Sequence, residues 1–354
     1  MYINLVGSLR KYFIFLTLVA AFIYLCTHLV KNNPEIGLGL FKNESAFLIN
    51  NIMDDEAKLL SSNSSQIFFL ETHLEGRRNL TNARQACSVE AAAKTNPDHQ
   101  IYLLLATNET QMTMERSVLY DALAAYPNIN IRYVNLLEYS RGTPLEQFMI
   151  EDKLSKSKFR IEHTSDVMRI LTLYKYGGLY LDLDVLSIFP VRIINKKNFV
   201  CLEGHNHFSN AIIKLDLNEG KKFSTAYVEK LRTNFNGDDW TVNGPSMISS
   251  VFRSFCNGTD LPKDKAGECE VLTAFPNQKC FVIMYKNFTK FYEPEFSSEM
   301  FERVKQVGGY FIHIWNKMLE FNNKHYKLDY DSKAAYVELA KVYCPRVMDT
   351  KVSF

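Results

Sequence analysis

Neither sign of charge dominates this 354-residue chain: 41 Lys and Arg stand against 39 Asp and Glu. The near-balance excludes an acidic solvating chain and a nucleic-acid binder that relies on bulk positive charge. Glycine (15) and proline (10) are too few for a collagen-like or Pro-rich low-complexity chain. There is no internal repeat and no heptad run. The Walker A loop, GxGxxG, the GxSxG elbow, HExxH and CxxC are all missing, so the familiar signatures of phosphate-loop, dinucleotide, serine-hydrolase and metalloprotease chemistry are absent. What is there is apolar: 47% of residues are hydrophobic and 13% aromatic, enough for a large packed core.

One long hydrophobic run exists, Tyr12 to Val30, without a formal charge. As a helix it would span about 28 Å, close to the hydrocarbon thickness of a bilayer. Arg10 and Lys11 precede it, which favours a cytosolic N-terminus and a single-pass type II anchor. No small-residue cleavage site follows. The expected organisation is a cytosolic tail (1–11), a membrane anchor (12–30), a polar stem (31–65) and a lumenal domain (66–354). Cys26 falls in the span. Cys87, Cys201, Cys256, Cys269, Cys280 and Cys344 remain, an even number that allows three disulfides in an oxidising lumen, in any of 15 pairings. Asn-x-Ser/Thr sequons at Asn43, Asn63, Asn79, Asn108, Asn257 and Asn287 agree with a secretory compartment. A paired set of lumenal cysteines leaves no thiol nucleophile.

Short apolar runs read as buried strands at 66–72, 100–106 and 129–136, with helical stretches at 79–95 and 113–125 between them. Strand and helix thus alternate, and near-continuous apolar strands mark a mostly parallel sheet covered on both faces. Further helices are expected at 164–176, 243–255 and 332–343, and strands at 178–186, 199–203, 208–215 and 309–315.

The sharpest segment runs from His163 to Val185. Thr164 or Ser165 reads as a helix cap, with Asp166 and Arg169 on one face of the first turn. Gly177-Gly178 ends the helix. A strand then carries Asp182 and Asp184, two residues apart and therefore on one side of it. Open α/β sheets bind ligands at the carboxyl ends of their strands. Two hard carboxylate donors held there suit Mn²⁺ or Mg²⁺, which neutralises a departing diphosphate. His205-Asn206-His207 reads as a polar loop rather than a metal site.

Asp166-x-x-Arg169, Gly177-Gly178-Leu-Tyr180-Leu-Asp182-Leu-Asp184 and His313-Ile-Trp315-Asn316 together resemble the signature of a glycosyltransferase family with a DXD sugar-nucleotide site. The chain resembles the group containing lactosylceramide 4-alpha-galactosyltransferase and alpha-1,4-N-acetylglucosaminyltransferase. Phe68 to Thr72, Cys87-Ser88-Val89-Glu90, Asn243-Gly244-Pro245 and Tyr343-Cys344-Pro345 add to it. The resemblance implies a GT-A type (Rossmann-like) α/β domain behind a transmembrane helix. It implies a Golgi membrane enzyme that uses Mn²⁺ (or Mg²⁺) to transfer a sugar from a UDP donor with retention.

Carried over by position, Asp184 would be the firmest metal ligand, Asp182 would hold the donor ribose and sugar with a direct or indirect link to the metal, and His313 would complete the shell. Asp166 and Arg169 would grip sugar hydroxyls and Tyr180 would lie against the nucleotide. Glu71 and Thr72 would touch uridine, and Trp315 and Asn316 would stand near the diphosphate. Asn210 and Asn243 are the polar candidates for assisting the retaining step. Related enzymes carry Gly-His-Gln where this chain has Thr241-Val242-Asn243, and Asn-Gly-Ala where it has Ser209-Asn210-Ala211. Those departures leave UDP-Gal and UDP-GalNAc both open as donors. The implied acceptor is a terminal β-linked galactose or N-acetylhexosamine on a glycolipid, or else on a glycoprotein. A homodimer or a complex with other glycosyltransferases stays open, and no nucleic-acid partner is expected. Two rival readings remain: a catalytically silent lumenal glycan-binding protein, and a mannosyltransferase using GDP-mannose.

Overall fold

The structure is a computed structural model. It describes residues 46–62, 65–74, 77–80, 82–258, 266–269, 271–322 and 326–354. The predicted anchor at 12–30 and the tail before it lie outside the described residues, as do the sequons at Asn43 and Asn63. Among the described residues no helix is long and apolar enough to cross a membrane.

One compact unit runs from Ala46 to Phe354, so it begins before residue 66. Strand β1 (Phe47–Leu48) pairs with β5 (Thr113–Glu115), which in turn pairs with β3 (Arg77–Asn79). The helix Glu56–Ser61 follows, with Ile52 and Leu59 buried against the domain. Residues 46–61, read as stem, therefore fold with the domain. The run 31–65 is polar on average; among its described residues Ile49, Ile52 and Leu59 pack, while Leu48 and Leu60 stay exposed.

The main sheet has eight strands. β2 (Gln66–Glu71), β4 (Gln100–Thr107), β6 (Ile129–Asn135) and β7 (Gly178–Leu181) pair in parallel, in the order β7-β2-β4-β6. The β8 strand (Val185–Ser187) belongs to a separate small ribbon described below. On the other side of β7 lies β10 (His207–Leu215), antiparallel to it, and then β9 (Phe199–Gly204), antiparallel to β10. Beyond them come β12 (Leu272–Phe275), parallel to β9, and β11 (Gly267–Cys269). The expected parallel, double-faced sheet is present, with an antiparallel hairpin inserted at β9–β10. The tip of that hairpin, His205-Asn206, is a turn with Asn206 at φ 52°, as a polar loop requires.

The core lies on both faces because alternate strand residues point opposite ways. Ile67, Phe69, Ile101, Leu103 and Leu105 pack with Val89 and Ala91 to Ala93 of the helix Ala83–Thr95. Phe68, Leu70, Tyr102 and Leu104 face the helices Arg160–Tyr176 and Glu219–Asn234 instead.

Two local expectations are corrected. The helix expected to be capped by Thr164 or Ser165 starts at Arg160, one turn earlier, so both residues are internal and Asp166 and Arg169 sit beyond the first turn. It does end at Gly177 (φ 62°), and a Cβ on Gly178 (φ 100°) would meet the Gln66 carbonyl at 2.7 Å. Second, the strand expected over 178–186 is broken. It stops at Leu181 and resumes as β8, leaving Asp182-Leu183-Asp184 as a turn closed by Val185 N–H to the Asp182 carbonyl at 2.9 Å. β8 pairs with β13 (Phe311–His313).

All six described cysteines are paired: Cys87–Cys344, Cys201–Cys280 and Cys256–Cys269. The first ties the helix Ala83–Thr95 to the residue after Ala335–Tyr343. Beside it, buried Glu90 accepts the Tyr126 hydroxyl at 2.6 Å and the Arg346 and Val347 N–H groups at 2.9 and 2.7 Å. Two segments that carried the family resemblance thus form one structural pin.

Candidate active site

The site lies at the carboxyl ends of β2 and β7, where the sheet changes from parallel to antiparallel. Open α/β sheets part their connections at such a place. Asp182 follows the last residue of β7, its N–H donating to the Ala211 carbonyl of β10 at 2.9 Å. Asp184 is brought round by the turn and His313 arrives on β13. One ligand atom from each of Asp182, Asp184 and His313 lies within 4.8 Å of the others. The two carboxylates converge because the chain turns between them, rather than because a strand alternates.

Asp184 is held at three points. His313 Nε2 is 2.9 Å from Oδ1, Asn316 N–H donates to Oδ2 at 2.9 Å, and Ile314 N–H donates to its carbonyl at 2.9 Å. Burial would raise its pKa, but the His313 charge and hydrogen bond outweigh it and hold Asp184 below the ordinary carboxylate value. The same contact lifts His313 above its usual value against the effect of burial. The other imidazole nitrogen, Nδ1, is buried without a partner. Two hard oxygen donors and an imidazole, with a buried ring nitrogen unsatisfied, form a donor set that fits a divalent cation of the Mn²⁺ or Mg²⁺ kind.

Asp182 is held from below. Its Oδ1 accepts the Tyr180 hydroxyl at 2.6 Å and lies 2.9 Å from Arg169 Nη1. Arg169 is 5% exposed, and its nitrogens face five acceptors: the Ser165 carbonyl and hydroxyl, the Asn210 carbonyl, Asp166 and Asp182. Its guanidinium also stacks over the Tyr180 ring, 4.7 Å from the centroid. Asp166 and Arg169 are therefore a buried pair, not a surface one. A guanidinium whose donors all have protein acceptors orients Asp182; it has no donor left over to grip a sugar. Tyr180 is likewise buried beneath the site, and burial keeps its hydroxyl protonated, far above its usual pKa. It supports Asp182 and offers no face to a nucleotide.

The two asparagines separate. Asn210 donates to Asp166 Oδ1 at 2.7 Å, next to the site. Asp166 itself is raised above the ordinary carboxylate value by burial, against the opposing pull of Arg169 and Asn210. Asn243 is fully buried and satisfied by the backbone of Asn236, through bonds of 2.9 and 2.6 Å. It closes its own loop, which is structural work. Its neighbour Gly244 does reach the site: a Cβ there would stand 2.6 Å from Asn210 Nδ2 and 2.8 Å from Asp166 Oδ1.

At the end of β2, Glu71 accepts from Gln85 at 2.9 Å and Thr72 donates to the Ile161 carbonyl at 2.9 Å. Trp315 is buried, with its indole N–H on the Ile283 carbonyl and its ring 3.9 Å from that of His313. It shapes the site from behind. The Asn316 side chain accepts from Tyr292 at 3.1 Å and from Arg84 at 3.3 Å.

Sequence reasoning passed over Arg84, Tyr292, Lys317 and Glu203. Lys317 bridges to Glu162 at 2.7 Å beside Asn316. Glu203, near the end of β9, is raised by burial and feels the charges of His207 and His313. No local spacing marks these residues. Only the position of Lys317, directly after His313-x-Trp315-Asn316, was a signal.

Comparison with known proteins follows the same line. Residues 82–200 match the family model of a glycosyltransferase sugar-binding region containing a DXD motif. Residues 216–351 match that of an alpha 1,4-glycosyltransferase conserved region. Together the two models span most of the chain, which is thus similar to glycosyltransferase families and carries a mostly parallel α/β sheet. The chain is homologous to lactosylceramide 4-alpha-galactosyltransferase and alpha-1,4-N-acetylglucosaminyltransferase. The former, from Mus musculus, is 29% identical over 280 residues, which is 79% of this chain and 74% of that one. The latter, from Homo sapiens, is 25% identical over 334 residues, or 94% and 90%. Among solved structures, the galactosyltransferase LgtC bound to donor and acceptor sugar analogues covers 82% of this chain at 12% identity, with a TM-score of 0.40.

Proposed function

We propose that the protein is a retaining hexosyltransferase. It transfers galactose or N-acetylgalactosamine from a UDP-sugar, in α-1,4 linkage, to a terminal β-linked galactose or N-acetylhexosamine on a glycosphingolipid. The observation that carries this reading is the Asp182, Asp184 and His313 cluster at the strand ends of a chain homologous to α-1,4-glycosyltransferases. The linkage and the glycolipid acceptor come from what those relatives are named for.

Asp184 and His313 would hold Mn²⁺ or Mg²⁺, with Asp182 beside it against the donor ribose and sugar. A cation bound there supplies neutralisation of the charge that builds on the departing diphosphate. Arg169 and Tyr180 hold the Asp182 carboxylate in place, while Glu71 and Thr72 would stand beside uridine. Asn210 and Asn243 are each engaged by other protein groups, so neither supplies a base. The reading is therefore same-face delivery. The acceptor oxygen bonds to the anomeric carbon as the bond to the diphosphate oxygen breaks, and that oxygen takes the acceptor proton. The three disulfides support a lumenal, oxidising setting, reached through an anchor at 12–30 in the Golgi membrane.

The test is a panel of UDP- and GDP-sugars and glycolipid and glycoprotein acceptors with the full chain and Mn²⁺, followed by linkage analysis of the product. An α-1,4-linked product from UDP-Gal or UDP-GalNAc is expected. Turnover of GDP-mannose alone, or of no donor at all, overturns the assignment.

A further inference from the structure

A run of contacts reaches Asp184 from the opposite side to Asp182. It begins at Arg84, in the first turn of the helix Ala83–Thr95, and at Tyr292, more than two hundred residues away. Arg84 Nη1 donates to Asn316 Oδ1 at 3.3 Å and the Tyr292 hydroxyl donates to the same oxygen at 3.1 Å. The two donors also hold each other. The guanidinium lies over the Tyr292 ring, 5.3 Å from its centroid, and its second nitrogen bonds the Tyr326 carbonyl. The Tyr326 ring stacks on that of Tyr292 with 4.7 Å between centroids and 13° between planes.

What they hold is a strained turn. Trp315, between His313 and Asn316, has φ 62°, left-handed backbone that a bulky residue adopts only under outside constraint. That conformation lets the N–H groups on either side of Trp315 serve Asp184. Ile314 reaches its carbonyl and Asn316 its Oδ2, both at 2.9 Å. If Asn316 swings away, Asp184 loses the bond that fixes its carboxylate plane. The indole bond to Ile283 holds one end of the turn, and Arg84 with Tyr292 holds the other.

We propose that Arg84 and Tyr292 are positioning residues for the metal ligand Asp184: by clamping the Asn316 side chain they aim its backbone N–H at Oδ2 and so set the cation affinity of the site. The inference rests on the metal reading given above. Groups that orient a ligand without touching the metal typically contribute 10–100-fold in metal affinity when removed.

The test measures Mn²⁺ binding directly, by electron paramagnetic resonance of the free ion, on the full chain and on Tyr292→Phe, Arg84→Met and Arg84→Lys. Tyr292→Phe keeps the stacked ring and removes only the hydroxyl. Arg84→Met keeps the aliphatic stem. Each is expected to weaken Mn²⁺ binding about 10-fold with little change in Tm, and Arg84→Lys to recover part of the loss. In turnover, the Mn²⁺ concentration for half-maximal rate rises while kcat at saturating Mn²⁺ is largely restored. The double variant should lose less than the product of the two singles, since both donors act on one oxygen. If Arg84→Met fails to fold, Tyr292→Phe decides alone. Wild-type Mn²⁺ affinity in Tyr292→Phe overturns the clamp. A wild-type chain that binds no Mn²⁺ overturns the metal reading, and the clamp with it.

Discussion

Arg169 Nη1 lies 2.9 Å from Asp182 Oδ1, and every other nitrogen of that buried guanidinium also faces a protein acceptor. The arginine belongs to the foundation of the site, fixing one carboxylate that faces the ligands and another, Asp166, that does not.

Replacing it with lysine keeps the charge and loses the planar fork. Arg169→Lys is expected to lower kcat/KM by about 10²-fold through misplacement of Asp182. Arg169→Ala leaves two carboxylates without their cation and is expected to destabilise the fold by about 3–5 kcal/mol. Thermal melts beside the kinetics separate the two effects, and an Arg169→Lys enzyme with unchanged kcat/KM contradicts the assignment.

Asp184→Asn preserves an oxygen for the Asn316 N–H and removes the charge. Transfer should vanish while secretion, disulfide formation and Tm stay near wild type. Chelation of divalent cations should abolish the wild-type reaction and added Mn²⁺ restore it. Turnover by the variant at the wild-type rate would refute the metal role of this residue.

Gly244 is a steric necessity. A Cβ placed 2.6 Å from Asn210 and 2.8 Å from Asp166 must push one of them aside. Gly244→Ala is expected to destabilise by about 1–3 kcal/mol, as overpacking does, and to reduce kcat. A crystal structure of the variant should show Asn210 displaced; a fully active, equally stable Gly244→Ala protein contradicts this reading.

Glu90 tests the structural half of the family resemblance. It accepts three hydrogen bonds, two of them from the first turn of the helix Pro345–Asp349. Glu90→Leu leaves those donors buried and unsatisfied, at about 1–3 kcal/mol for each. The loss should appear in denaturant unfolding, with donor KM unaffected in whatever protein remains folded.

The short apolar runs at 66–72, 100–106 and 129–136 announced a covered parallel sheet, because strands buried on both faces have no polar side to alternate with. Gly177-Gly178 announced the end of a helix. The Asp182-x-Asp184 pair was legible from its setting after Gly177-Gly178, whereas His313 joined it only through the family resemblance, since it lies far along the chain and no spacing links it to the two aspartates. Less legible was how they meet. Alternation along one strand was the natural expectation from spacing two, yet the chain turns at Leu183. Helix starts also slipped: Arg160 begins a helix without a side-chain cap, so no local signal was there to read.

The sequence by itself determined the periodicities, the supply of metal-ligating groups and the even cysteine count, since these depend on residue type and near neighbours. Only the tertiary structure decided the disulfide pairing, the burial of Arg169 and Tyr180, the engagement of Asn243 by its own loop, and the clamp of Arg84 and Tyr292 on Asn316. Each of those joins residues far apart in the chain. Their contacts form only when the two faces of the sheet are covered, because the packing of whole elements, and no local spacing, sets which distant side chains share a buried space.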